Sequence, residues 1–159
     1  MLSESHSVLV ITEAERGVCQ VCCELAAARL EAGEKVVFVE TKARPDEVVF
    51  YLNQYGVDTS AIESEGALCV VDACPESAPV ADPHVIKVGD PSMLSNIFEG
   101  VTRAIGSLGG RPVEVVFDSL SPLLATHEPV YVARFYKDLS TISRFTGSLT
   151  AAVSVAPRA

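Results

Sequence analysis

Apolar residues in this chain fall in short continuous runs, separated by longer stretches of helix-forming and polar residues. Ser7, Val8, Leu9, Val10 and Ile11 open the pattern. The run has no period-two alternation, which predicts a strand buried on both faces and placed centrally in its sheet. Residues 12–17 are polar and end in Gly17, helix formers occupy 18–32, and Gly33 is suited to stop a helix. A second strand is predicted over 35–40, then a helix opened by Pro45, Asp46 and Glu47 that runs to Tyr55 ahead of Gly56. A third strand covers 67–72, a proline- and acid-punctuated loop covers 75–83, and a short apolar run covers 84–88. Asp90 and Pro91 open a helix to Leu108; a turn over 109–112 leads to a strand over 113–117 that ends in Asp118. Pro129 begins a helix over 130–145, and 148–155 reads as the last strand.

Strands alternating with helices of this length predict an α/β fold: a mostly parallel central sheet with helices on both faces and right-handed crossovers. A length of 159 residues predicts one domain over 1–159, with residues 1–6 as a polar, flexible start. The apolar share of 48% with only 6% aromatics suits a core of Val, Leu and Ala. A formal charge of −9 argues against nucleic acid and favours a basic partner. Four lysines beside this acid excess also suit a high-salt cytoplasm. Five cysteines, an odd number, with no secretory leader predict reduced thiols and a cytoplasmic location. The first apolar run is too short to span a membrane, so no membrane association is expected.

The first strand, loop and helix stand where a phosphate-binding loop would carry G-x-x-x-x-G-K-[ST]. The segment here reads Thr12, Glu13, Ala14, Glu15, Arg16, Gly17, Val18, Cys19, and only Gly17 fits. For that segment alone an ordinary strand-to-helix loop is the simpler account, with Thr12 as a helix cap and its acids complementing the helix N-terminus. Later segments shift the balance. The turn Glu31, Ala32, Gly33, Glu34, Lys35 follows at a fitting distance, the strand ending in Glu40 runs on through Thr41, Lys42, Ala43 and Arg44 to Pro45, and Val115, Val116, Phe117 lead into Asp118, Ser119, Leu120, Ser121 and Pro122. From about residue 7 to 155 the chain resembles the KaiC-like branch of the RecA superfamily of P-loop ATPases, most specifically over Asp118 to Pro122. The resemblance implies a three-layer RecA-like sandwich that assembles side by side, here without the family's C-terminal sheet extension.

Carried over position by position, the resemblance puts the phosphate-binding lysine on Val18, the magnesium-ligating hydroxyl on Cys19, the catalytic glutamates on Lys42 and Ala43, and the Walker B aspartate on Asp118. Four of those five functions are lost. It therefore implies a degenerate Walker A and a vestigial nucleotide site of Thr12, Glu13, Arg16, Gly17, Val18, Cys19 and Asp118, with no catalytic residue, no metal and no cofactor. Electrostatics agrees, because Glu13 and Glu15 add carboxylates while Val18 removes the countercharge. One like-charge pair at about 4 Å costs on the order of 4 kcal/mol at an effective dielectric of about 20. The expected role is a regulatory or scaffolding domain that binds a protein partner or self-associates. The alternative is a nucleotide switch or ATPase that still holds ATP through Arg16, Gly17, Asp118 and a neighbouring subunit, with Lys42 as a replacement cation.

Cys19, Cys22 and Cys23 share one helix face, where a metal or oxidant could meet them, but core packing is the favoured reading and no fourth ligand is evident. Cys69 and Cys74 read as core and strand-end residues. His6, His84 and His127 have no carboxylate or nucleophile at catalytic spacing, and Ser119 and Ser121 lack a nucleophile elbow. Tyr131, Phe135, Leu139 and Ile142 form the predicted core stripe of the last helix.

Overall fold

A computed structural model describes residues 7–13, 18–109 and 112–155; residues 1–6, expected to be a flexible start, lie outside that set. The chain forms β1 (Ser7–Glu13), α1 (Gln20–Glu31), β2 (Lys35–Glu40), α2 (Pro45–Gln54), α3 (Thr59–Ser64), β3 (Leu68–Asp72) and β4 (Val85–Lys87). It continues through α4 (Leu94–Ser107), β5 (Val113–Asp118), α5 (Ser121–Thr126), α6 (Pro129–Thr146) and β6 (Gly147–Val155). The six strands make one sheet in the order β1-β6-β5-β2-β3-β4. Every pairing among the described residues is parallel, as the expected parallel sheet requires.

Successive side chains on a strand point to opposite faces, and the two halves of the core divide accordingly. Val36 and Phe38 of β2 and Val116 of β5 join one cluster, closed by Cys22, Ala26 and Leu30 of α1 and Val48 and Leu52 of α2. Val37 and Val39 of β2 and Val115 and Phe117 of β5 join the other, closed by Ile97 and Val101 of α4 and Phe135 and Leu139 of α6. The result is a three-layer sandwich. Phe117 meets Phe135 edge-on with ring centroids 5.8 Å apart. Full burial of a side chain such as Phe38 or Phe117 contributes about 1.5–3 kcal/mol. At the start of β6 the close approach of Val113 backbone leaves no room for a Cβ, so the position is glycine, Gly147.

Several sequence expectations change. β1 is not central: it is an edge strand, paired among the described residues only with β6, and Val8, Leu9 and Ile11 are 41%, 50% and 68% exposed. An unalternating apolar run says that both faces are apolar, not which neighbours cover them. The helix expected from Asp90 starts at Leu94, because Asp90 instead holds a turn through the Ser92 amide and hydroxyl, at 3.0 and 2.6 Å. The stripe of α6 begins at buried Val132, while Tyr131 is 52% exposed. Thr12 lies within β1 and is no helix cap; Cys19 holds the N-cap position of α1. Two short helices, α3 and α5, were not expected.

Candidate functional site

Three neighbouring strands end in a buried acid at the same level. Glu40 of β2 stands in register with Asp118 of β5 on one side and Asp72 of β3 on the other, and all three are 0% exposed. Alternation sends these side chains to the α1–α2 face, since the preceding Val39, Phe117 and Val71 belong to the opposite cluster. The C-terminal edge of the sheet thus carries a row of carboxylates. Ionised acids at this depth are costly unless paired and hydrogen-bonded.

Each member of the row is accommodated differently. Asp118 accepts a 2.7 Å hydrogen bond through Oδ2 from the backbone N–H of Cys19, and its Oδ1 lies 3.1 Å from Lys42 Nζ. An amide at a helix N-terminus favours negative charge, and a lysine beside it completes the neutralisation. Asp72 accepts from the Ser77 hydroxyl at 2.6 Å and the Cys74 amide at 3.1 Å, and Lys87 Nζ lies 3.4 Å away. Lys87 also donates to the Cys74 carbonyl at 2.8 Å. Glu40, between them, has no lysine of its own. Its Oε1 accepts from the amides of Lys42 and Ala43, at 2.9 and 3.1 Å, while Oε2 takes no hydrogen bond from an ordinary donor among the described residues. Burial and the adjacent Asp118 charge push its carboxyl up to about 10, so at neutral pH Glu40 carries a proton that faces Asp118.

Lys42 is held by the backbone after β2. Thr41 N–H donates to the Asp118 carbonyl at 2.8 Å, the Thr41 hydroxyl donates to the Ser119 carbonyl at 2.8 Å, and Ser119 N–H donates to the same hydroxyl at 2.9 Å. These bonds tie the bend after β2 to the end of β5 and aim Lys42 at Asp118. Burial by itself lowers the Lys42 amine, but the Asp118 charge and hydrogen bond outweigh it and the net shift is upward. Beside the pair sit two buried thiols, Cys19 and Cys22, whose sulfur atoms and an Asp118 oxygen all lie within 4.8 Å of one another. The Cys22 thiol is pushed above its usual range by its hydrogen bond with Cys19, by burial and by the Asp118 charge.

Of the residues singled out from the sequence, Cys19, Lys42 and Asp118 come together. Val18 is buried under α1, and Ala43 is buried with its amide on Glu40. Thr12 and Glu13 lie at the end of β1, level with Ser154 and Val155 of β6, so the whole of β6 separates their strand from β5. Arg16 and Gly17 lie outside the described residues, as does His6. Sequence reasoning passed over Glu40 and Asp72, although each ends an apolar run in an acid just as Asp118 does. His84, read as lacking a carboxylate partner, lies with Glu63 and Asp82, their ligand atoms within 4.8 Å. His127 bridges α5 to the Ser92 carbonyl at 2.8 Å. Cys69 and Cys74 are buried, as expected.

A cavity of about 540 Å³ lies between α2, α3 and the loop after β3 and is lined by Arg44, Thr59, Glu63, Glu76, Asp82 and Ser77, the last of which also donates to Asp72. Among the described residues no helix is long and apolar enough to cross a membrane.

The sequence model of a family of unknown function, DUF7504, matches residues 5–156. The chain belongs to that family. No curated protein matches it. Among solved structures, this DUF7504 chain is similar to a KaiC-like protein from the hyperthermophilic archaeon Pyrococcus horikoshii OT3, with 17% sequence identity and a TM-score of 0.60. The alignment covers 93% of the DUF7504 chain and 61% of that structure, so the chain spans about three-fifths of its length. At that identity the likeness concerns the fold, which is RecA-like, and leaves the chemistry to the residues at the carboxylate row.

Proposed function

We propose that this chain is a RecA-like domain without ATPase chemistry, which acts as a regulatory or scaffolding module by binding another protein. One observation carries the reading: Asp118 takes both the Cys19 amide and the Lys42 ammonium. A helix-terminal N–H and a lysine are the groups with which a phosphate-binding loop holds a nucleotide, and an aspartate at this position is what would face magnesium. Here the three satisfy one another inside the protein. The substitutions at Val18, Cys19, Lys42 and Ala43 are then one coherent change, in which an internal cation replaces the external one.

The binding role draws on the surface. β1 leaves its outer backbone edge without a partner strand among the described residues, and exposes Val8, Leu9 and Ile11 beside it. Such an edge is a template for strand addition by a partner or a second copy. The negative charge and the carboxylates Glu63, Glu76 and Asp82 around the cavity favour a basic partner over nucleic acid.

A second reading rests on the same lysine. Lys42 is an ammonium at the C-terminal edge of the sheet, and if it left Asp118 it would provide a phosphate with a countercharge. Titration with Mg-ATP, Mg-ADP and GTP separates the two readings. The inactive domain shows no nucleotide-dependent change in melting temperature and no phosphate release from radiolabelled ATP. A rise of several degrees at micromolar nucleotide overturns it, because a ligand of the folded state must stabilise that state.

A further inference from the structure

Packing explains why Cys23, Cys69 and Cys74 are buried. It does not explain why two further thiols lie against a fully buried carboxylate. We propose that Cys19, Cys22 and Asp118 form a binding site for one thiophilic divalent cation such as Zn²⁺, which pins the start of α1 to the end of β5.

The geometry is that of a buried, soft-ligand site. The two sulfur atoms and a carboxylate oxygen lie within 4.8 Å of one another. Tetrahedral zinc with bonds of about 2.0–2.3 Å spaces its ligand atoms by about 3.3–3.8 Å, so side-chain adjustments of an ångström or so complete the set. The cysteines form a C-x-x-C pair at the N-cap and third residue of α1, which puts both thiols at the same helix end. All three residues are at most 1% exposed. Asp118, wholly buried, holds its Oδ1 3.1 Å from the Lys42 ammonium, so a carboxylate oxygen and a countercharge meet beside the two thiols.

Charge balance favours the loaded state as well as the empty one. Without an ion, the thiols are protonated and Asp118 and Lys42 cancel. On binding, the ion forms two metal–sulfur bonds and one metal–oxygen bond, and the two thiol protons leave to solvent. Two thiolates and one carboxylate are then cancelled by the divalent ion and Lys42, so both states are neutral and no uncompensated charge is buried. Sulfur donors select a soft or borderline ion over magnesium or calcium. Three protein ligands leave a fourth position for water or a partner's side chain. The site does not depend on whether the domain binds a protein partner.

Titration of the full, reduced, chelator-stripped chain with Co²⁺ alone tests the proposal. The expected result is one equivalent bound, with a thiolate-to-cobalt charge-transfer band and tetrahedral visible bands that Zn²⁺ abolishes. Cys22→Ala weakens binding by more than about 100-fold, beyond the range seen when outer partners of a metal site are lost, whereas Cys69→Ala leaves it unchanged. Circular dichroism confirms that the variants are folded; should Cys22→Ala fail to fold, Cys19→Ala makes the same test. The absence of a thiolate band in the reduced wild-type chain overturns the proposal by itself. So does a band that survives Cys19→Ala or Cys22→Ala.

Discussion

The inner strands and the edge strand of this sheet reverse the usual division of polarity. At the ends of β2, β3 and β5 three acids and the heads of two lysines are drawn into the protein, with Glu40, Asp72 and Asp118 at 0% exposure. On β1, three large apolar side chains are 41% to 68% exposed. Both arrangements work against stability in isolation, since buried charge costs desolvation and exposed hydrocarbon gains nothing from burial. Their difference shows where the fold must be satisfied internally and where it leaves something for another molecule. The inner row is closed: two aspartates each have a lysine, and the glutamate between them is neutral. The edge is open, without a partner strand on its outer side among the described residues and with Val8, Leu9 and Ile11 only partly covered.

The largest expected effect comes from opening the closed region. Lys42→Met removes the ammonium from Asp118 and leaves a carboxylate buried with only the Cys19 amide and its neighbours. A loss of about 3–5 kcal/mol is expected in urea denaturation, as for other buried pairs broken on one side. Adding Asp118→Asn to that variant recovers a large part of the loss, because no charge is left uncompensated, and the double-mutant cycle gives a coupling well above the ~0.5 kcal/mol of independent sites. Additive losses break the comparison, since they mean that the inner row is not held by its internal pairs.

A smaller effect of opposite sign is expected at Glu40. Its carboxyl titrates near the ordinary 4.5 in the unfolded chain and at about 10 in the folded one. Between those values the unfolded chain has released a proton that the folded chain keeps, so stability falls as pH rises through that window. Glu40→Gln keeps an acceptor for the Lys42 and Ala43 amides, supplies an N–H toward Asp118, and abolishes the titration. The variant gains on the order of 2 kcal/mol at neutral pH and little at pH 4, and its stability is flatter across the interval. A gain independent of pH would show that Glu40 is ionised in the fold.

Legibility in the sequence followed the same divide. Parallel strands covered on both faces leave unbroken apolar runs, so β2, β3 and β5 and the longer helices α2 and α4 were readable, and the RecA-like layout with them. The apolar run of β1 looked identical although its surroundings are not, because a run records the character of a strand's faces and not its neighbours. Asp118 was found because its context was specific. Glu40 and Asp72 were missed because a single acid at a strand end is common, and only the register shows that the three form one row. Lys42 was read as the loss of a glutamate and, in the alternative, as a replacement cation; the fold sets its Nζ 3.1 Å from Asp118. Helices α3 and α5, six residues each, are too short to show a 3.6-residue period.

The smallest change in stability is expected at the open edge. Ile11, 68% exposed on β1, already meets water in the folded chain. Ile11→Lys therefore alters folding free energy by no more than about 0.5 kcal/mol, as for other surface positions, and a lysine on an edge strand opposes the addition of another strand. Light scattering across a concentration series then shows less self-association than wild type, or, if the wild type is monomeric, a partner bound through this edge is released by the variant. A loss of several kcal/mol in the isolated variant would mean instead that β1 is already covered within the folded chain, and the contrast between a closed row and an open edge would fail at its open end.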